Sequence, residues 1–146
     1  MKLQDLTLKQ FLEKTAGNEP VPGGGSVSAL NGAISSSLVQ MLANLTIGRK
    51  NYTDVEERMK KNAGRFEEFR IHFLNDIDRD SEAYNLVFET FKLPRETDEE
   101  KAYRSQNIQE ATKIVALVPM EIAERAFEML DLIVETTRKG NKNAIT

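Results

Sequence analysis

A chain of 146 residues with a net charge of −3, its acids and bases mixed along the length, is long enough for one domain with its own core and has no basic block of the kind nucleic-acid binding uses. The absence of cysteine excludes a disulfide framework, a thiolate metal site and a cysteine nucleophile. With no arginine-rich leader, apolar signal region or bilayer-length apolar run, the expectation is a cytoplasmic protein with neither a nucleic-acid nor a membrane partner.

Thr7-Leu-Lys-Gln is a capping box, and Leu8, Phe11 and Leu12 give a short helix its apolar stripe before Gly17 ends it. Residues 20–29 then read Pro-Val-Pro-Gly-Gly-Gly-Ser-Val-Ser-Ala. Glycine reaches positive φ without a Cβ penalty, so Gly23, Gly24 and Gly25 can aim successive N–H groups at one point, and a helix opened by Ser26 adds its unpaired donors and positive dipole end. A carboxylate or phosphate would fit there; the bland alternative is a strained loop capped by Ser26. From Ser26 to about Gly48 the helix is small and apolar, with Ala29, Gly32, Ala33, Ser35, Ser36 and Ser37 spaced to let another helix approach closely. Gly48-Arg49-Lys50 closes it with two cations, which either complement the helix dipole or capture an anionic ligand tail.

Thr53-Asp-Val-Glu predicts a second capping box. The stripe Val55, Met59, Phe66, Phe69, Phe73, Ile77, Tyr84, Val87, Phe91 then predicts one long helix, with a bend at Gly64. Leu93-Pro94 stops it. Thr97-Asp-Glu-Glu opens a helix with the stripe Tyr103, Asn107, Ala111, Ile114, Val118, and Pro119 kinks or restarts it. A last helix carries Ala123, Ala126 or Phe127, Leu130, Ile133, Val134 and Thr137 to its stop at Gly140. The fold class is all-α, a helical bundle with long amphipathic helices. Their apolar faces exceed what one bundle of this size covers, so at least a homodimer is expected.

One position breaks the long stripe. By threes and fours from Ile77 the next core-facing residue is Asp80, and a carboxylate among apolar neighbours is costly unless paired or hydrogen-bonded. Either Asp80 is a general acid/base or it forms a packing ion pair with an arginine such as Arg104. Asp76, Asp78 and Glu82 read as solvated surface acids. His72, the only histidine, reads as surface or boundary, without the partners a metal site needs.

In order along the chain, Pro22-Gly-Gly-Gly-Ser-Val-Ser-Ala, Gly48-Arg49-Lys50, Asp78-Arg-Asp80-Ser-Glu-Ala-Tyr84, Phe91-Lys-Leu-Pro-Arg with Thr97-Asp-Glu-Glu-Lys and Arg104, Val118-Pro119 and Gly140-Asn141 resemble the cyclodeaminase domain of formiminotransferase-cyclodeaminase. The resemblance covers essentially the whole chain, with no formiminotransferase portion ahead of it. It implies a single cyclodeaminase-like helical domain over residues 1–146, short at its C-terminal end, because family members usually continue past the Gly-Asn segment. It further implies a tetrahydrofolate derivative as substrate, polyglutamylated or not, in one-carbon metabolism and histidine degradation, without metal or redox cofactor. The implied reaction is closure of 5-formiminotetrahydrofolate to 5,10-methenyltetrahydrofolate with loss of ammonia. The alternatives are hydrolysis of the methenyl form to 10-formyltetrahydrofolate, as in family members described as methenyltetrahydrofolate cyclohydrolases, and a folate-binding helical protein without catalysis. Asp80 and Arg104 are then the candidate catalytic pair, and Pro22, Gly23, Gly24, Gly25, Ser26, Arg49 and Lys50 the candidate substrate contacts.

Overall fold

The computed structural model describes residues 2–144, and among these every regular element is helical. Helix α1 spans Leu8–Thr15, α2 Gly24–Thr46, α3 Glu56–Thr90 and α4 Asp98–Lys139, with single 3-10 turns at Leu3–Asp5, Lys50–Tyr52 and Lys142–Ala144. The local signals explain most boundaries. Thr7 caps α1 in a complete box with Gln10, and Thr97 caps α4 the same way, its Oγ1 accepting from Glu100 N–H while the Glu100 carboxylate accepts from Thr97 N–H. Asp98, Glu99 and Glu100 sit in the first turn of α4 and Arg138 and Lys139 in the last, each sign at the helix end its charge complements. After α2, Gly48 takes φ 76°, a left-handed conformation that favours glycine, and the chain turns away.

Three expectations fail. Thr53 caps nothing: it lies in helical conformation at the end of the Lys50–Tyr52 turn, and α3 begins with Val55 accepting from Met59 N–H. Pro119 does not restart a helix: α4 runs 42 residues through it, at the loss of the one backbone bond the ring removes. The apolar stripe of the last helical stretch is also rotated. Ile122, Met129 and Thr136, seven residues apart, are the buried positions, whereas Phe127, Leu130 and Val134 are exposed.

The chain divides into two compact units, Met1–Ser28 with Asn75–Ile122, and Ala29–Leu74 with Ala123–Thr146. In the second unit α2 is thin enough for a ring to lie on its backbone: a Cβ on Gly32 would come within 2.8 Å of the Phe73 ring. Phe66 and Phe73 are fully buried there, each contributing about 1.5–3 kcal/mol by area removed from water. Polar groups inside it are satisfied. Asn62 Nδ2 donates to Thr136 Oγ1 at 2.9 Å, and Thr46 Oγ1 accepts from Asn141 N–H at 2.8 Å. In the first unit the core holds Phe11, Ile77, Ala83, Ala111, Val118 and Ile122. Asp78, buried, accepts from Leu3 N–H at 2.6 Å and so holds the N-terminal turn.

Candidate active site

Within the first unit, the N-terminus of α2 meets the middle of α3. Ser26 N–H donates to Asp80 Oδ2 at 2.8 Å, and the Ser26 hydroxyl lies 3.0 Å from the same oxygen, 2.9 Å from the Ile77 carbonyl and 3.1 Å from Ser81 Oγ. A hydroxyl has one proton, so Ser26 donates to Asp80 or to Ile77 but not both. Asp80 is half-buried, and its Oδ1 has no hydrogen-bond partner among the described residues. The carboxylate thus occupies the anion position at the positive end of α2, held through Oδ2, with Oδ1 over Gly25.

This geometry corrects the reading of the glycine loop. None of Gly23, Gly24 and Gly25 has positive φ, and α2 begins at Gly24 rather than Ser26. Their reason is space. A Cβ on Gly25 would overlap the Asp80 carboxylate, while one on Gly24 would meet nothing within 4 Å, and one on Gly23 would touch the Pro20 carbonyl at 3.3 Å. Pro22 is buried behind the loop, after a cis Val21–Pro22 bond. The first anion bound by this helix end is therefore the protein's own Asp80, and open space lies at Gly24.

The expected ion pair between Asp80 and Arg104 does not form. Arg104 instead donates from Nη2 to the Phe91 carbonyl at 3.3 Å and stacks over the Phe91 ring, 5.8 Å from its centroid, at the far end of α3. Asp76 and Asp78 are buried rather than solvated: Asp76 receives Arg79 Nη1 at 2.7 Å, and the same guanidinium reaches Glu121 at 2.6 Å. Those two carboxylates keep the Arg79 guanidinium above its usual range, the Glu121 hydrogen bond most of all. Glu82 and His72 are exposed, as expected.

Sequence reasoning missed the aromatic surface beside Asp80. Tyr84 and Phe88 follow it at i+4 and i+8 on α3, with Phe91 just past the helix end, and all three are exposed, although the periodicity places Tyr84 and Phe91 in a core. The signal was present as an aromatic line continuing from a carboxylate, but period alone does not say whether a stripe faces protein or ligand.

Arg49 and Lys50 lie in the second unit, exposed, in an open cleft of about 370 Å³ shared with Asn51, Tyr52, Asn141 and Asn143. Asn141 is pinned there by its N–H to Thr46 Oγ1 and its side-chain amide to the Leu45 carbonyl at 3.2 Å, and Lys142 N–H donates to Tyr52 Oη at 3.1 Å. Two stretches 90 residues apart in sequence thus build one anion-compatible surface. Tyr52, Asn141 and Asn143 were not among the sequence candidates. Gly140, packed so that a Cβ would lie 2.6 Å from the Thr136 carbonyl, brings the second stretch in. Among the described residues no three His, Asp or Glu side chains are placed to hold a metal ion, and no helix is long and apolar enough to cross a membrane.

The described residues define an all-helical protein in which a carboxylate capped by the start of α2 lies beside exposed aromatic residues. The chain belongs to the formiminotransferase-cyclodeaminase family, whose model matches residues 7–146. It is 40% identical over 140 residues to a methenyltetrahydrofolate cyclohydrolase of Methylorubrum extorquens, covering 96% of this chain and 67% of that one. It is 27% identical over 144 residues to the formimidoyltransferase-cyclodeaminase of Mus musculus, covering 99% of this chain but 27% of that protein. The crystal structure of a formiminotetrahydrofolate cyclodeaminase from Thermotoga maritima superposes with a TM-score of 0.83 at 30% identity, over 98% of this chain and 67% of that one.

Proposed function

We propose that this chain is a folate one-carbon enzyme that closes 5-formiminotetrahydrofolate to 5,10-methenyltetrahydrofolate, with Asp80 as its acid/base. The observation that carries the reading is the Asp80 carboxylate, fixed through Oδ2 by Ser26, with Oδ1 packed over Gly25 and without a hydrogen-bond partner among the described residues. In the formiminium cation, N10 attacks the formimino carbon, and the proton it then sheds must reach the departing nitrogen. Asp80 Oδ1 takes that proton from N10 and delivers it to the amine, the carbon–nitrogen bond breaks, and ammonia leaves a methenyl cation. One carboxylate suffices for both transfers. Ring closure also requires N10 and the formimino carbon to be held together, an orientational contribution that binding supplies. Tyr84 and Phe88 offer flat apolar contact for the ring system, and the open backbone at Gly24, held between Pro22, Gly23, Gly25 and Ser26, offers a wall against which it lies. Arg104, stacked on Phe91, faces substrate rather than Asp80. Arg49 and Lys50, considered within the second unit alone, offer a cationic surface that suits glutamate carboxylates, one or several.

A second reading is favoured by the 40% identity to a protein named as a cyclohydrolase. Here water adds to the methenyl carbon, Asp80 takes its first proton and passes it to N5, and the carbon–N5 bond breaks as the second water proton leaves to solvent, giving 10-formyltetrahydrofolate. No metal or redox group enters either scheme. Formation of the methenyl chromophore from 5-formiminotetrahydrofolate supports the first reading and its loss from 5,10-methenyltetrahydrofolate the second; absence of both sinks them together. The cytoplasm, with its folate pool, is the proposed location, and a homodimer the proposed working form.

A further inference from the structure

The Ser26 hydroxyl is fully buried in the first unit and faces three oxygens: the Ile77 carbonyl, Asp80 Oδ2 and Ser81 Oγ. It has one proton to give and two lone pairs to offer. A carbonyl and a carboxylate donate nothing, so Ser81, itself buried, is the partner able to donate to it. If Ser26 gave its proton to Ser81 instead, its lone pairs would stand 2.9 Å and 3.0 Å from two bare acceptors, an arrangement that repels. The consistent order therefore runs from Ser81 to Ser26, and from Ser26 onward to Asp80 or to Ile77. Charge decides between those two. An ionised carboxylate is the stronger acceptor, and a neutral carboxyl loses that advantage. The Ile77 carbonyl lies inside α3 and keeps its helical bond whether or not the hydroxyl adds a second. Ser26 N–H holds Asp80 Oδ2 independently of the hydroxyl. Among the described residues no charged side chain pairs with Asp80: Arg79 is held by Asp76 and Glu121, and Arg104 by Phe91.

We propose that Ser26, oriented by Ser81, is a positioning residue whose hydroxyl follows the proton on Asp80, donating to the ionised carboxylate and turning to the Ile77 carbonyl when Asp80 is neutral. Its part in turnover rests on the reading of Asp80 as the acid/base; the switch itself does not. The Ser26 proton stays on Oγ throughout, so no bond at the serine is made or broken. Rotation about Cβ–Oγ moves no heavy atom. Each charge state of Asp80 then leaves the buried hydroxyl with an acceptor, and the passage between the two states orphans no donor.

The test is the Ile77 carbonyl resonance of the ligand-free protein at neutral pH. Ile77-Asp78 is the only Ile-Asp pair in the sequence, so ¹³C-carbonyl isoleucine with ¹⁵N-aspartate marks that peptide alone. The resonance is expected to move upfield from wild type to Asp80→Asn if the hydroxyl stays away from Ile77, and downfield if it turns to Ile77 once residue 80 is neutral, which is the result that supports the switch. From Ser26→Ala to Ser26→Ala/Asp80→Asn, where no hydroxyl can turn, it should stay in place. An upfield displacement, the same displacement in both backgrounds, or none in either overturns the switch. Ser26→Cys, similar in size and a weak donor, takes the place of the alanine variant in the cycle if a melting curve shows Ser26→Ala unfolded. The methenyl assay reads the link to turnover. A kcat about 10-fold lower in Ser26→Ala with KM unchanged, and no further loss on adding Ser81→Ala, supports it; a raised KM with kcat unchanged overturns the positioning role. A wild type that turns over neither folate removes the folate reading alone, because the carbonyl cycle decides the switch without it.

Discussion

Asp80 and Asp78 are two residues apart in sequence and have different work. Asp80→Asn keeps an acceptor for Ser26 N–H but cannot relay a proton, so turnover is expected to fall roughly 100-fold or more with little change in folate binding or melting temperature. Steady-state kinetics beside a melting curve check this, and an active Asp80→Asn enzyme moves the acid/base role elsewhere. Asp78→Asn touches the Leu3 N–H anchor instead, and is expected to cost about 1 kcal/mol of stability while sparing chemistry. Exposed Glu82→Gln is the neutral control. The glycines separate in the same way: Gly25→Ala displaces the Asp80 carboxylate and should lose activity, whereas Gly24→Val meets no protein atom and should fold normally while weakening folate binding through the space it fills. Normal folate affinity in Gly24→Val would mean that the open face at Gly24 is not part of the site.

At the scale of elements, α3 and α4 are joined in the second unit by Glu135, which receives Arg58 Nε at 3.0 Å and Lys139 Nζ at 3.0 Å with Asn62 beside them. The Lys139 hydrogen bond, helped by Arg58 and Asn62, holds the Glu135 carboxyl below its ordinary 4.5. A folded-state value below the unfolded one contributes stability that is complete above 4.5 and is lost as pH falls through the lower folded value. Glu135→Gln should therefore be less stable than wild type at neutral pH, and the gap should close in acid. Equal acid unfolding curves at every pH would show the cluster to be solvent-screened. For α4, the complete Thr97 box predicts a loss of about 1 kcal/mol in Thr97→Ala, whereas Thr53→Ala, at a box that does not form, should change stability little.

For the whole molecule, the uncovered apolar surface decides the expected assembly. On α2, Ile34, Leu38, Met41 and Leu45 recur at i, i+4, i+7 and i+11 and stay exposed, and on α4 Phe127, Leu130 and Val134 stay exposed at i, i+3 and i+7. A seam of that spacing suits a second helix, and a second copy of this chain supplies one. Sedimentation at micromolar concentration should give a dimer, and Leu38→Glu, which puts a charge on the seam, should shift it toward monomer. A monomeric wild type would refute the assignment.

The helical class, the cap at Thr7, the cap at Thr97, the stop at Gly48 and the buried positions Met59, Phe66, Phe69, Phe73 and Ile77 are set by short-range signals, since capping and 3.6-residue periodicity act within a turn or two of chain. Asp80, too, stood out as a carboxylate in an apolar stripe. What the linear sequence could not carry is any relation over long separation. The separation of 54 positions from Ser26 to Asp80 hides the fact that the helix end expected to bind a ligand's anion already binds the protein's own, and that of 13 from Phe91 to Arg104 hides the stacking that draws the arginine from the expected pair. Periodicity finds an apolar stripe without telling which neighbour covers it, so Tyr84, Phe91, Phe127 and Leu130 were placed in a core that only packing could grant or refuse. Pro119 makes the same point for the backbone: the sequence offers a restart there, and α4 continues through it.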